Sequence, residues 1–157
     1  MGDLSDVYRS TRREICELVR SLPEDELHKE VPATRGWSIR DVVAHLTGDA
    51  ACALEGDFPN DYFSAFGEPE VIPGLNDWTA KQVSDRADRS LDEVIAEWDS
   101  AGATLESMMH GDNPYPNGLP MFTDRILVTD IGVHQQDIFG ALGIERARDS
   151  APVKLGT

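Results

Sequence analysis

Four stretches of the chain carry apolar residues at three- and four-residue intervals, and none alternates apolar with polar residues as a half-buried strand would. That pattern leaves an all-α fold. In the first stretch Leu4, Val7, Tyr8, Thr11, Ile15, Leu18 and Leu22 form one stripe, which Pro23 stops. The second opens at Ser38, three residues before Asp41, which is the spacing of a capping box, and runs to about Glu55 ahead of Gly56. Ser90 and Glu93 repeat the signal in front of Leu91, Val94, Ile95, Trp98, Leu105 and Met108, and Gly111 closes that helix. The fourth runs from about Met121 to Leu142, before Gly143, and a shorter helix is expected over about 76–89. Segments 56–75 and 111–120, rich in glycine and proline, read as loops. The expectation is a four-helix bundle with a long crossover connection over residues 1–143, followed by a loosely held tail at 144–157.

At 157 residues and 40% hydrophobic content the chain suffices for one domain with a sizeable core. Its 29 acidic residues against 14 basic ones give a net charge of -15, a surface that repels nucleic-acid phosphates and anionic lipid headgroups. No apolar run approaches the ~20 residues of a membrane span, and residues 1–20 lack the apolar stretch of a signal peptide, so a cytoplasmic protein is expected. Cys16 and Cys52 have no short-range spacing that indicates a disulfide or a thiolate metal site.

The informative residues are polar ones in apolar places. Projected at roughly 100° per residue, the last helix puts Asp130, His134 and Asp137 inside its apolar arc beside Val133, with Arg125, Thr129, Gln135 and Gln136 facing outward. A carboxylate facing a bundle core needs a proton, a counter-charge or a metal ion. Asp130 and His134, four residues apart, stack on one helical face and can reach one ion. His45 on the second long helix is the best candidate for a third ligand, with Asp41 and Asp49 on its side of the helix. Asp41 and Asp137 are candidates to accept the second ring N–H of the histidines and orient them. The competing reading is a buried Asp–His hydrogen bond with no metal, and His28 and His110 take a purely structural reading.

Around these residues the chain resembles a known family. Gly36, Trp37 and Ser38, followed by Asp41, His45 and Leu46, resemble the signature of DinB-like metal-binding bundles. Asp130, His134, Asp137 and Ile138, followed by Ala141, Leu142 and Gly143, are similar to the last helix of the N-terminal domain of mycothiol-dependent maleylpyruvate isomerase. The resemblance implies a divalent metal, usually zinc, on His45, Asp130 and His134, with Asp130 standing where the family carries glutamate. It also implies a low-molecular-weight thiol such as mycothiol as cosubstrate and a small electrophilic substrate. Two imidazoles and one carboxylate leave a position of the ion open, as in catalytic zinc sites. A thiol there favours S-transfer or cis-trans isomerisation, and a water there favours hydrolysis. A non-catalytic metal- or ligand-binding bundle is the third reading, and both a monomer and a homodimer are compatible with the pattern. The residues after 143 are too few for the second domain of the two-domain isomerase, so maleylpyruvate itself is not the expected substrate.

Overall fold

The computed structural model describes residues 3–59 and 68–145. Within them lie six α-helices: α1 (Leu4–Arg20), α2 (Glu24–Leu27), α3 (Ile39–Glu55), α4 (Ile72–Ser84), α5 (Leu91–His110) and α6 (Thr123–Leu142). The four longest, α1, α3, α5 and α6, form the bundle. Helix α3 packs on α5, α4 and α6, while α1 packs on α5 and α6. Among the described residues the only β-type pairing is an isolated bridge between Glu30 and Ser38. No helix there is long and apolar enough to cross a membrane.

Helix boundaries follow from local chemistry. The Ser38 hydroxyl accepts from the Asp41 N–H at 3.1 Å and the Asp41 carboxylate accepts from the Ser38 N–H at 2.8 Å, which satisfies two otherwise orphaned donors. Ser90 and Glu93 do the same for α5. Three helices end at Gly56, Gly111 and Gly143, with φ of 71°, 95° and 67°, a left-handed cap that glycine adopts without Cβ strain.

Two α-helices differ from expectation, and a 3-10 turn at Pro69–Val71 lies within the segment expected as loop. A single turn of helix, α2, follows Pro23 because proline's fixed φ suits a helix entrance. Helix α4 starts at Ile72 instead of about 76, since Pro73 and Gly74 fall in its first turn, where a missing N–H costs nothing, and it ends at Ser84 instead of about 89. The turn beyond it is held by the buried Arg40 guanidinium, which donates to the carbonyls of Arg86 and Arg89. The last part of the expected tail, 146–157, lies outside the described residues.

The core centres on Trp98, Ile15, Ile95, Leu105, Ile131 and Ile138, all fully buried, and the Trp98 indole N–H donates to the Tyr8 hydroxyl at 3.0 Å. One ion pair is buried beside it. Arg12 donates through Nε and Nη2 to Glu106 Oε1 at 2.9 and 2.8 Å, and through Nη1 to Asp99 at 2.5 Å. Arg9 donates to the other Glu106 oxygen at 3.1 Å. Gly102 makes the room: a Cβ there would lie 2.6 Å from Arg12 Nε.

Candidate metal centre

Helix α6 buries Leu127, Val128, Ile131, Gln135, Ile138 and Phe139, so its inward stripe is rotated from the one expected. Asp130, His134 and Asp137 sit at the edge of that stripe instead of inside it, and the Asp130 side chain is 35% exposed. Val133, expected in the apolar arc, is half exposed, and Gln135, expected outside, is buried with its amide donating to Glu14. The physical reason is the cost of stripping a carboxylate of water, which the chain avoids by turning Asp130 and His134 onto a cavity wall. Among the described residues that cavity has a volume of about 940 Å³ and is lined by His45, Asp130, His134 and an apolar wall that includes Trp37, Phe58 and Trp78. Arg125, expected to face away, lies at this cavity while remaining exposed.

The structure brings the three proposed ligands together. His45 Nε2 lies 3.2 Å from Asp130 Oδ2, and His134 Nε2 lies 3.6 Å from Asp130 Oδ1. One ligand atom from each of the three residues falls within 4.8 Å of the others. The two imidazoles meet edge to face with ring centroids 5.0 Å apart, and Trp37 leans on the His45 ring at 5.2 Å. His28 and His110 lie elsewhere, exposed, beside Glu24 and beside Asp3 and Asp112 respectively.

Hydrogen bonds fix which ring nitrogens face the centre. The Asp137 carboxylate can only accept, so His134 donates to it through Nδ1–H at 3.0 Å and turns Nε2 toward Asp130. Asp41 does not play this part for His45, because its carboxylate is spent on the α3 cap. The partner of His45 Nδ1 is Gln82 of α4, at 2.6 Å, a residue that the apolar periodicity of α4 did not single out. Gln82 also donates to the buried Asp49 at 3.0 Å, and Asp49 Oδ2 lies 3.6 Å from His45 Nε2.

Two Nε2 lone pairs and a carboxylate thus converge, an arrangement that repels itself unless a cation or a proton lies between them. In a tetrahedral zinc site with bonds of about 2.0–2.1 Å, neighbouring ligand atoms stand about 3.3 Å apart, near the 3.2 and 3.6 Å from the two imidazoles to one or the other Asp130 oxygen, while one atom from each residue falls within 4.8 Å of the others. Two imidazoles and a carboxylate suit zinc, and also iron or nickel. These residues fit a divalent ion.

Without a metal, the same atoms compete for protons. Burial pulls the His45 pKa down, but the charge of Asp49 and the hydrogen bond and charge of Asp130 outweigh it and raise the value to about 9. Burial pushes the Asp49 carboxyl well above its ordinary range, opposed by the His45 charge and reinforced by Asp130. Burial also works to raise Asp130, yet the hydrogen bond from His45 and the charges of both histidines hold it below the usual carboxylate range. A folded-state pKa above the unfolded one gives stability that is present at low pH and lost as pH rises through the folded value. The His45 contribution is therefore complete below about 6.5 and fades toward about 9, and the raised Asp49 acts in the same direction. Metal-free protein should lose stability between pH 6.5 and 9, by up to about 3 kcal/mol from His45, and His45→Gln should flatten that slope. Thermal melts of chelator-treated protein across this window check it, and a melting temperature that holds steady or climbs refutes it.

The profile of the mycothiol maleylpyruvate isomerase N-terminal domain family matches residues 8–139 of the chain. Searches of curated proteins and of solved structures found no match.

Proposed function

The chain belongs to the mycothiol maleylpyruvate isomerase N-terminal domain family, whose fold is that of the DinB-like superfamily, and from that premise we propose a divalent-metal-dependent S-transferase or isomerase. It uses a low-molecular-weight thiol of the mycothiol type on a small electrophilic substrate. The observation that carries this reading is the convergence of His45, Asp130 and His134, with ligand atoms within 4.8 Å of one another, on the wall of a cavity large enough for a substrate.

His45, Asp130 and His134 would hold the ion, most simply zinc, and Gln82 and Asp137 keep the two imidazoles turned so that Nε2 faces it. When bound, such an ion favours the thiolate form of a thiol at its open position near neutral pH. Trp37, Phe58 and Trp78 keep water away from the nucleophile, and Arg125 offers a positive charge to a substrate carboxylate. The sulfur adds to the electrophilic carbon and the displaced electron pair moves onto an adjoining carbonyl oxygen. If a leaving group departs, the result is S-transfer. If the adduct rotates about the carbon–carbon bond that addition has made single, and the electron pair returns from the oxygen to expel the thiolate, the result is cis-trans isomerisation.

Untagged protein purified without chelator should contain about one divalent ion per chain, and turnover of an α,β-unsaturated acid panel should require both that ion and added thiol. Ester or amide cleavage without thiol would replace this reading with a hydrolase. Binding without turnover across the panel would replace it with a non-catalytic bundle.

A further inference from the structure

Helix α4 buries a single residue within its span, and that residue is a glutamine. Gln82 is 3% exposed, and every polar atom of its amide is engaged. Its Nε2 donates to Asp49 Oδ1 at 3.0 Å and points at Cys52 Sγ at 3.8 Å, which leaves Oε1 to accept from His45 Nδ1 at 2.6 Å. His45, Asp49 and Cys52 lie four and three residues apart on α3, so one side chain from α4 reads one face of that helix.

Gly48 supplies an independent observation. A Cβ on that residue would sit 2.5 Å from Gln82 Cβ and 2.6 Å from its Cγ, so the Gln82 side chain lies across α3 only because position 48 has none. Close approach of the two helices and the amide's hydrogen bonds therefore serve one contact.

We propose that Gln82 is a positioning residue of the metal centre: its carbonyl holds the proton of His45 on Nδ1, and its amide N–H ties the arrangement to Asp49, so that His45 Nε2 faces the ion. This rests on the metal reading above. The amide carries no charge, so it orients His45 without adding a third carboxylate beside Asp49 and Asp130. The centre then has one imidazole oriented by a neutral amide and the other by the Asp137 carboxylate.

The test uses three proteins: wild type, Gln82→Met, which keeps the shape and loses both hydrogen bonds, and the exchange Gln82→Glu with Asp49→Asn. In the exchanged pair the carboxylate accepts from His45 and the asparagine amide donates to it, which restores both bonds at unchanged total charge. In metal-free wild type, nuclear magnetic resonance should show a His45 Nδ1–H protected from solvent exchange, absent in Gln82→Met and present again in the exchanged pair. Zinc titration should show affinity about 10–100-fold weaker in Gln82→Met and within a few-fold of wild type in the exchanged pair. If Gln82 served only to dock α4, the isosteric methionine would leave both readouts where they were, and that result overturns the proposal. Should Gln82→Met fail to fold, an exchanged pair that folds but lacks the protected Nδ1–H overturns it equally. A wild-type chain that takes up no zinc overturns the metal reading, while the Nδ1–H measurement on metal-free protein still decides what holds His45.

Discussion

Alanine in place of His134 should weaken zinc binding about a thousandfold and abolish thiol-dependent turnover, while the helical circular dichroism of the bundle stays at its wild-type level. The magnitude follows from sharing a zinc binding energy of roughly 10–16 kcal/mol among three protein ligands, so that one imidazole is worth about 3–5 kcal/mol. The fold survives because His134 lies at the edge of the buried stripe of α6, where Ile131, Gln135 and Ile138 make the packing contacts. Asp130→Asn should weaken binding as well, since an amide oxygen lacks the charge that two converging imidazole lone pairs require. Asp130→Glu, which keeps the carboxylate, should retain the ion. Metal content by elemental analysis and competition titration distinguish these cases, and a His134→Ala protein that holds zinc as wild type does would remove the residue from the centre.

Glu106→Gln should destabilise the bundle by about 3–5 kcal/mol, lowering the melting temperature by of order 10 °C. Arg12 and Glu106 are each 4% exposed, so removing the carboxylate charge leaves a guanidinium in the interior with only the half-exposed Asp99 beside it. The pair itself is a different matter, because taking two charges out of water costs nearly what their attraction returns. The double change Arg12→Met with Glu106→Leu should therefore recover most of the lost stability. Denaturant melts of the single and double variants measure the difference, and a double variant no more stable than Glu106→Gln would show that the pair itself is strongly stabilising.

The bundle was readable because its helices announce their own ends: Ser38 with Asp41, Ser90 with Glu93, and glycines at 56, 111 and 143 act through contacts a few residues long. His45, Asp130 and His134 were readable because an acidic residue four positions from a histidine on a half-apolar helix demands compensation. The orientation of α6 was not, since which flank of a stripe meets a neighbour depends on where α1 and α3 lie, and Asp130 and His134 turned to the cavity accordingly. The residue that orients His45 was equally hidden. Asp41 and Asp49 stand four positions to either side of His45, and only the geometry shows one spent on a cap and the other bridged through Gln82. Gln82 lies 37 positions from His45 on a helix whose apolar pattern is weak, and its one trace in sequence is Gly48, a glycine inside a helix with no turn to make.

Anchoring α4 through one buried amide gives the molecule an uneven resistance to opening. The other long helices share a common apolar interior, whereas α4 buries only Gln82 within its span and gives up less apolar burial when it lifts away. It is thus the natural candidate for the first cooperative unit to come loose below the global transition, and it would take the Nδ1 partner of His45 with it. The order of a site built mainly on α3 and α6 is in this way tied to a helix that contributes little to the common core, so that whatever fills the cavity and touches Trp78 or Leu75 on α4 also steadies the His45 imidazole.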